Sequence, residues 1–283
     1  MAALIPPGLI PAPTPPQRPP GLFDVALGPM PMPFPEAEGG GVQYVPDACE
    51  DDIFLYSITC PPVSGSKTFS GIEAAVSGAP FAVITSYTCG SIGWTFAEVE
   101  QRVRLRMQLR EQRAVERRVW QGWNLSNGQG TQAGLFANAT NVGDTGCATE
   151  AIAKLEQALA DNAVVGGIIH ARPYMAPHLG NGHLLEPNGR GWKTHNGTPI
   201  VFGQGYDGSA PGGSPPTSGS AAEAMYATGR VLLWGGDTVV PPLQQTLNRD
   251  TNQQYALAER VFVAALECGA WYTNVTRNCT TAP

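Results

Sequence analysis

Several short constellations in this sequence carry the residue types of reaction chemistry. Ser64-Gly65-Ser66-Lys67 has the S-x-x-K spacing, in which a lysine can draw the proton from a serine hydroxyl and make it a nucleophile. Enzymes that use this tetrad begin a helix with it and pair it with S-D-N and K-T-G sequences. Neither sequence occurs here, and Pro61-Pro62 puts the tetrad in a loop. Gly65-Ser66-Lys67-Thr68 lacks the Gly-Lys pair and the upstream glycine of a phosphate-cradling P-loop. His170, His178, His183 and His195 are irregularly spaced and have no H-E-x-x-H context, so satisfied or solvent-facing histidines are expected. Cys49, Cys60, Cys89, Cys147, Cys268 and Cys279 are scattered, with no C-x-x-C pair, and are expected to be reduced thiols. No G-x-S-x-G or G-x-G-x-x-G sequence is present. No catalytic, cofactor-binding or metal-binding residue is therefore assigned. The enzyme-class alternative is a small-substrate hydrolase or acyltransferase using Ser64 and Lys67.

The more extended signal is a row of charge. Arg102, Arg106, Arg110, Arg113 and Arg117 recur at spacings of four, four, three and four, which is one side of an α-helix. Glu98, Glu111 and Glu116 lie off the row and neutralise it only partly. The row needs a long helix to hold it, and the local sequence supplies one from 95 to 120. Thr95 and Glu98 make a capping box at its start. Phe96, Val99, Val103, Met107 and Ala114 give it an apolar stripe, and Gly122 can end it. A solvated face is the bland reading of such a row; an acidic partner from another subunit, or DNA, fits it better.

The remaining elements follow from punctuation and periodicity. Met1–Pro35 is dominated by proline, which excludes helix and central strand and predicts an extended arm. Its interspersed Leu4, Ile5, Leu22, Phe23 and Phe34 suit an arm ordered by lying on neighbouring subunits. Gly41–Tyr87 reads as β-structure, a long hairpin excursion with its tip near Pro62–Lys67. A helix is predicted near Thr149–Ala160, a buried strand at Val164–Ile169 and a short helix at Tyr174–Leu179. Ser209–Ser220 reads as low-complexity loop. Ala224–Leu233, Tyr255–Cys268 and Ala270–Val275 read as strands.

Composition excludes some function classes. Among 283 residues, 42% are hydrophobic and only 14% charged, with 34 Gly and 26 Pro. Low charge with many turns suits a chain that meets other copies over much of its surface. A net charge of −6 argues against a dedicated nucleic-acid binder. No apolar run approaches the roughly 20 residues of a membrane span, and no signal peptide is recognisable. A soluble protein made in the cytoplasm is expected.

From Trp94 to Val275 the order of elements resembles the major capsid proteins of tailed bacteriophages, the Hong Kong 97-type fold. Glu111–Gly122 is similar to the end of that family's spine helix, which runs into a Gly/Asn loop. Ala151–Leu159, Val164–His170 and Pro173–Leu179 resemble its helix–strand–helix, with Ile168-Ile169-His170-Ala171-Arg172-Pro173 in place of its V-I-N-P sequence. Gly197-Thr198-Pro199-Ile200-Val201 resembles its G-x-P-V strand start, and Asn248–Val263 its late peripheral strand. The resemblance implies an α+β chain with a Pro-rich N-terminal arm (1–49) and an extended β-hairpin, the E-loop (50–87). It implies a peripheral domain (88–147 and 248–269) with spine helix 95–120, and an axial α/β domain (148–247 and 270–283). The implied function is structural and not enzymatic: an icosahedral shell subunit that assembles with itself into hexamers and pentamers around double-stranded DNA, without sequence specificity. Scaffold, portal or decoration proteins are further implied partners. No membrane or cofactor is implied. The implied location is the virion, assembled in the host cytoplasm, and an encapsulin-like shell is the related alternative. In this fold the E-loop lies near a neighbour's spine helix. Glu50, Asp51 and Asp52 at the hairpin base are therefore expected partners for the arginine row, with DNA as the rival. Lys67 falls near the E-loop tip.

Overall fold

The computed structural model describes residues 17–46, 75–90, 95–124, 131–216, 222–241, 247–248 and 252–276. Glu50, Asp51, Asp52, Ser64 and Lys67 lie outside them. From the N-terminal side come α1 (Leu22–Val25), β1 (Leu27–Pro31), α2 (Ala37–Gly40), β2 (Val42–Tyr44), β3 (Val76–Gly90) and α3 (Phe96–Gln121). Then follow β4 (Gly122–Asn124), β5 (Thr131–Ala133), β6 (Thr140–Asn141), α4 (Ala148–Asp161), β7 (Ile168–Ala171) and α5 (Ala176–Asn181). The C-terminal part holds β8 (Glu186–Asn188), β9 (Gly191–Lys193), β10 (Pro199–Phe202), β11 (Glu223–Thr228) and β12 (Val231–Gly235). It ends with β13 (Leu247–Asn248), β14 (Gln253–Leu266) and β15 (Ala270–Val275).

The long helix forms as its sequence predicts. The Thr95 hydroxyl accepts from the Glu98 N–H at 3.3 Å, and the Glu98 carboxylate accepts from the Thr95 N–H at 2.8 Å. That reciprocal pair satisfies two of the donors a helix start leaves orphaned, and it holds the Glu98 pKa below the usual carboxylate range. Gly122 ends the helix at φ +79°, where a Cβ would stand 2.2 Å from the Gln132 carbonyl. The buried stripe runs Val99, Val103, Met107, then on in steps of four through Glu111 to Val115 and Val119. Ala114, read as part of the stripe, is only half-buried, because the four-residue step rather than the seven-residue one continues to the end.

Helix α3 lies across a six-stranded sheet ordered β1-β12-β14-β3-β2, with β13 paired to β14. β3 and β14 are antiparallel from Gly90↔Gln253 to Ala79↔Ala264. Residues 76–87, read from sequence as a limb of a projecting hairpin, are thus built into this sheet. Phe81 packs into the main core, and Val83, Tyr87 and Cys89 pack under α3. The N-terminal segment also differs from its reading as an arm ordered only by neighbours. Leu22 and Phe23 are buried in the chain's own core, and β1 pairs in parallel with β12. The proline-free stretch 21–28 permits the short α1, while Pro29 and Pro31 confine β1 to the sheet edge.

A seven-stranded sheet, ordered β6-β15-β11-β7-β10-β9-β8, forms the second layer. Ile152, Leu155 and Leu159 of α4 pack on Ile169, Met225, Ala227 and Val275 of this sheet. β7 begins at Ile168 rather than Val164. Gly166 turns the chain at φ +75°, and a Cβ on Gly167 would lie 2.7 Å from Leu159. The single strand read at Ala224–Leu233 is two strands in two different sheets, separated at Gly229. A Cβ there would meet the Glu267 carbonyl at 2.2 Å. The largest core cluster joins the layers: Phe81, Leu233 and Phe262 from the first sheet meet Ile168, Val201 and Tyr226 from the second, with Trp120 and Phe136. Cys268 is disulfide-bonded, against the expectation of reduced thiols, while Cys89 is a free thiol. Scattered spacing along the chain says little about which cysteines a fold brings together.

Candidate functional site: an arginine-lined groove

The arginine row does not act as one unit. Its first part is packed on the sheet: the guanidinium groups of Arg102 and Arg106 stand 5.7 and 4.4 Å from the Tyr87 ring centre. Arg106 also donates to the Ser86 carbonyl at 3.0 Å. Its second part, Arg110, Arg113 and Arg117, is exposed and lines a groove of 1330 Å³. The other walls of the groove are Phe81–Ile84 of β3, Arg172–Tyr174, and Gln204–Asp207. Among the described residues none of Arg110, Arg113 and Arg117 makes a salt bridge; Arg117 Nε bonds only the Gln121 side chain, at 3.3 Å.

Two further arginines enter the groove that the row did not include. Arg118 is 8% exposed and donates to the Ala133 carbonyl and the Gln132 side chain, both at 2.8 Å. Its guanidinium stands 5.4 Å from the Phe81 ring centre, and its Nε has no partner among the described residues. Burial with no carboxylate beside it pushes its pKa down. Arg172 pairs with the buried Glu223 at 3.3 Å. Among the described residues Asp207 is the one acidic residue lining the groove, and its carboxylate accepts from Ser209 N and Oγ at 3.0 and 2.7 Å. Four guanidinium groups without a carboxylate partner among the described residues, and Arg172 paired to Glu223, stand against the one lining carboxylate, a charge balance that suits an anion. Arginine's planar fork holds carboxylates or phosphates bidentately, and more strongly where water is partly excluded.

The walls are held by buried polar contacts. Glu116, fully buried on α3, accepts from Leu22 N at 3.0 Å and Gly205 N at 2.9 Å, tying the helix to α1 and to the 204–207 wall. Burial raises its pKa, against the lowering effect of those N–H donors. Trp120 stacks on Tyr206 at 4.6 Å and donates to the Ser209 carbonyl at 3.1 Å. Glu111 receives Arg260 Nη1 on both oxygens, at 2.9 and 3.1 Å.

His170 is a satisfied core histidine. Thr228 Oγ1 donates to the Gly229 carbonyl at 2.8 Å, so it must accept from His170 Nε2, also at 2.8 Å. Nδ1 then accepts from the Tyr206 hydroxyl at 2.9 Å, which burial keeps protonated by raising its pKa. Burial lowers the His170 pKa to about 3, so the ring is neutral. His195 instead bonds Glu186 at 2.7 Å on the surface, and that carboxylate raises its pKa. Among the described residues no three His, Cys, Asp or Glu side chains gather as a metal site, and no helix is long and apolar enough to cross a membrane.

No family model and no curated relative matches the sequence. Solved structures do match it nearly end to end. One from Mycobacterium phage Bobi aligns over 99% of this chain and 97% of its own, with 13% identity and TM-score 0.57. One from Microbacterium phage Oxtober96 aligns over 98% and 97%, with 13% identity and TM-score 0.55. The capsid of a native GTA particle aligns over 98% and 96%, with 10% identity and TM-score 0.53. The fold of this chain is therefore the one found in the GTA capsid and shared by these phage structures.

Proposed function

We propose that the chain is the major capsid protein of a tailed bacteriophage, a structural subunit that assembles with itself into hexameric and pentameric capsomers around double-stranded DNA. The observation that carries this reading is the end-to-end likeness to a capsid chain, 98% of this chain against 96% of the other. In Hong Kong 97-type terms, α3 with the first sheet is the peripheral domain and α4 with the second sheet the axial domain. The segment between β2 and β3 is the E-loop. The subunit belongs to the virion and is assembled in the host cytoplasm, where scaffold, portal and decoration proteins are its further partners.

The arginine row serves this function as a contact between subunits, with Arg110, Arg113 and Arg117 meeting the Glu50-Asp51-Asp52 run of a neighbour. Exposed pairs are worth only about 0–1 kcal/mol each, but repetition over a whole shell makes small terms decide curvature. The doubly reversed chain Arg110→Glu/Arg113→Glu tests this. Wild-type chain is expected to elute as particles in size-exclusion chromatography, and the variant as subunits or capsomers. Normal particles that package DNA poorly would instead assign the row to the lumen.

A further inference from the structure

One wall of the groove is an open strand edge. Four consecutive residues, Phe81, Ala82, Val83 and Ile84, line it, although successive side chains of a strand point to opposite faces. Consecutive residues share a cavity where the backbone edge itself faces it. β3 pairs with β14 from Ala79 to Gly90 and with β2 only from Val76 to Gly78. Among the described residues, the second edge of 79–90 has no strand beside it. Two observations identify the groups turned to that edge. Pro80 sits inside the β14 pairing, opposite Val263, and a residue without N–H fits there when its nitrogen faces outward. Ser86, of the same parity, gives its carbonyl to Arg106 of α3. In an antiparallel strand every second residue turns both N–H and C=O to one edge, so Ala82 and Ile84, between these two, present both to the groove.

Facing that edge across the groove stand Arg110, Arg113 and Arg117, with Arg118 behind them and no carboxylate on it. Such a groove fits an extended acidic polypeptide, its backbone laddered on β3 and its carboxylates on the row. We infer that the groove takes an acidic segment of a second copy of this chain as an added β-strand, paired to the backbone of Ala82 and Ile84. The inference rests on the shell reading above and specifies how neighbours join. The matching chemistry lies in Asp47-Ala48-Cys49-Glu50-Asp51-Asp52, followed by the β-type run Ile53–Tyr56. Residues 1–16 carry no acid and many prolines, so they do not fit. Within one chain, β2 delivers this segment at Tyr44 beside Val76, some five residues or about 17 Å of strand from Phe81, which favours a second copy as its source.

A fluorescein-labelled peptide of residues 45–57, with Cys49→Ser, titrated into dispersed full-length subunits tests the inference. Binding is expected, weakened by salt and by Arg113→Glu. It should fall at least tenfold in Ile84→Pro, which removes one outward N–H, and stay within twofold in Ile84→Thr. Should Ile84→Pro fail to fold, amide exchange on wild-type chain gives the same reading: Ala82 and Ile84 should exchange slowly in particles and fast in dispersed subunits. Peptide binding indifferent to Ile84→Pro, or equal exchange in both states, overturns strand addition. Slow exchange already in dispersed subunits would mean that the chain fills its own groove, and a DNA duplex binding in place of the peptide would make it a phosphate site; either overturns the inference. If no particles form, the shell reading fails by itself, and the peptide titration still decides whether the groove accepts a strand.

Discussion

At the residue scale, two buried polar groups set how firmly the layers are joined. His170 links the second sheet to Tyr206 and so to the groove wall. Its folded pKa of about 3 lies below the ordinary value of 6.5, so its contribution is fully present above pH 6.5 and is lost as pH falls toward 3. In that window the unfolded chain binds the proton and the folded chain does not, at up to about 1.4 kcal/mol per pH unit. Urea unfolding of dispersed subunits should therefore weaken from pH 6.5 to 5, and His170→Gln should flatten that slope. An unchanged slope would show that His170 does not carry it. Glu116 is the second such group. Truncating it to alanine orphans the N–H groups of Leu22 and Gly205. Glu116→Ala is expected to lose about 2–4 kcal/mol in the same measurement, and Glu116→Gln less, because an amide oxygen still accepts. Equal loss in both would mean that both carboxylate oxygens, or the charge itself, are needed to hold the two N–H groups.

At the element scale, what the sequence made legible was local. Thr95, Glu98 and Gly122 bracket α3 by contacts within a few residues of one another, and the four-residue step of its apolar stripe needs no other part of the chain. α4, β14 and β15 were readable for the same reason. The break between β11 and β12 was not, because both halves are apolar and the cause lies in the distant Glu267 carbonyl that leaves no space for a side chain at Gly229. β3 was placed in a hairpin because its partner β14 is remote in sequence. The row of arginines was visible by spacing, but its division at Tyr87 and the presence of Arg118 and Arg172 in the groove depend on tertiary packing. Arg118 sits one residue beyond the row's last member, and no local pattern marks it. Gly229→Ala should cost about 1–3 kcal/mol as an overpacked backbone contact. Gly40→Ala, which meets nothing within 4 Å, should be close to neutral. Similar thermal shifts in the two would remove the account of the sheet-to-sheet crossing.

At the scale of the whole molecule, the chain joins two sheets through one aromatic core and leaves a charged groove at its surface. Low charge elsewhere, many turns and an acidic run outside the described residues suit a subunit whose complement is another copy of itself. The most direct measurement is a cryo-EM reconstruction of particles formed by the full chain. It should show closed shells in which an extended segment of one subunit lies in a neighbour's groove, between β3 and Arg110, Arg113 and Arg117. A chain that stays monomeric at every concentration, or shells whose grooves open empty onto the lumen, would contradict it.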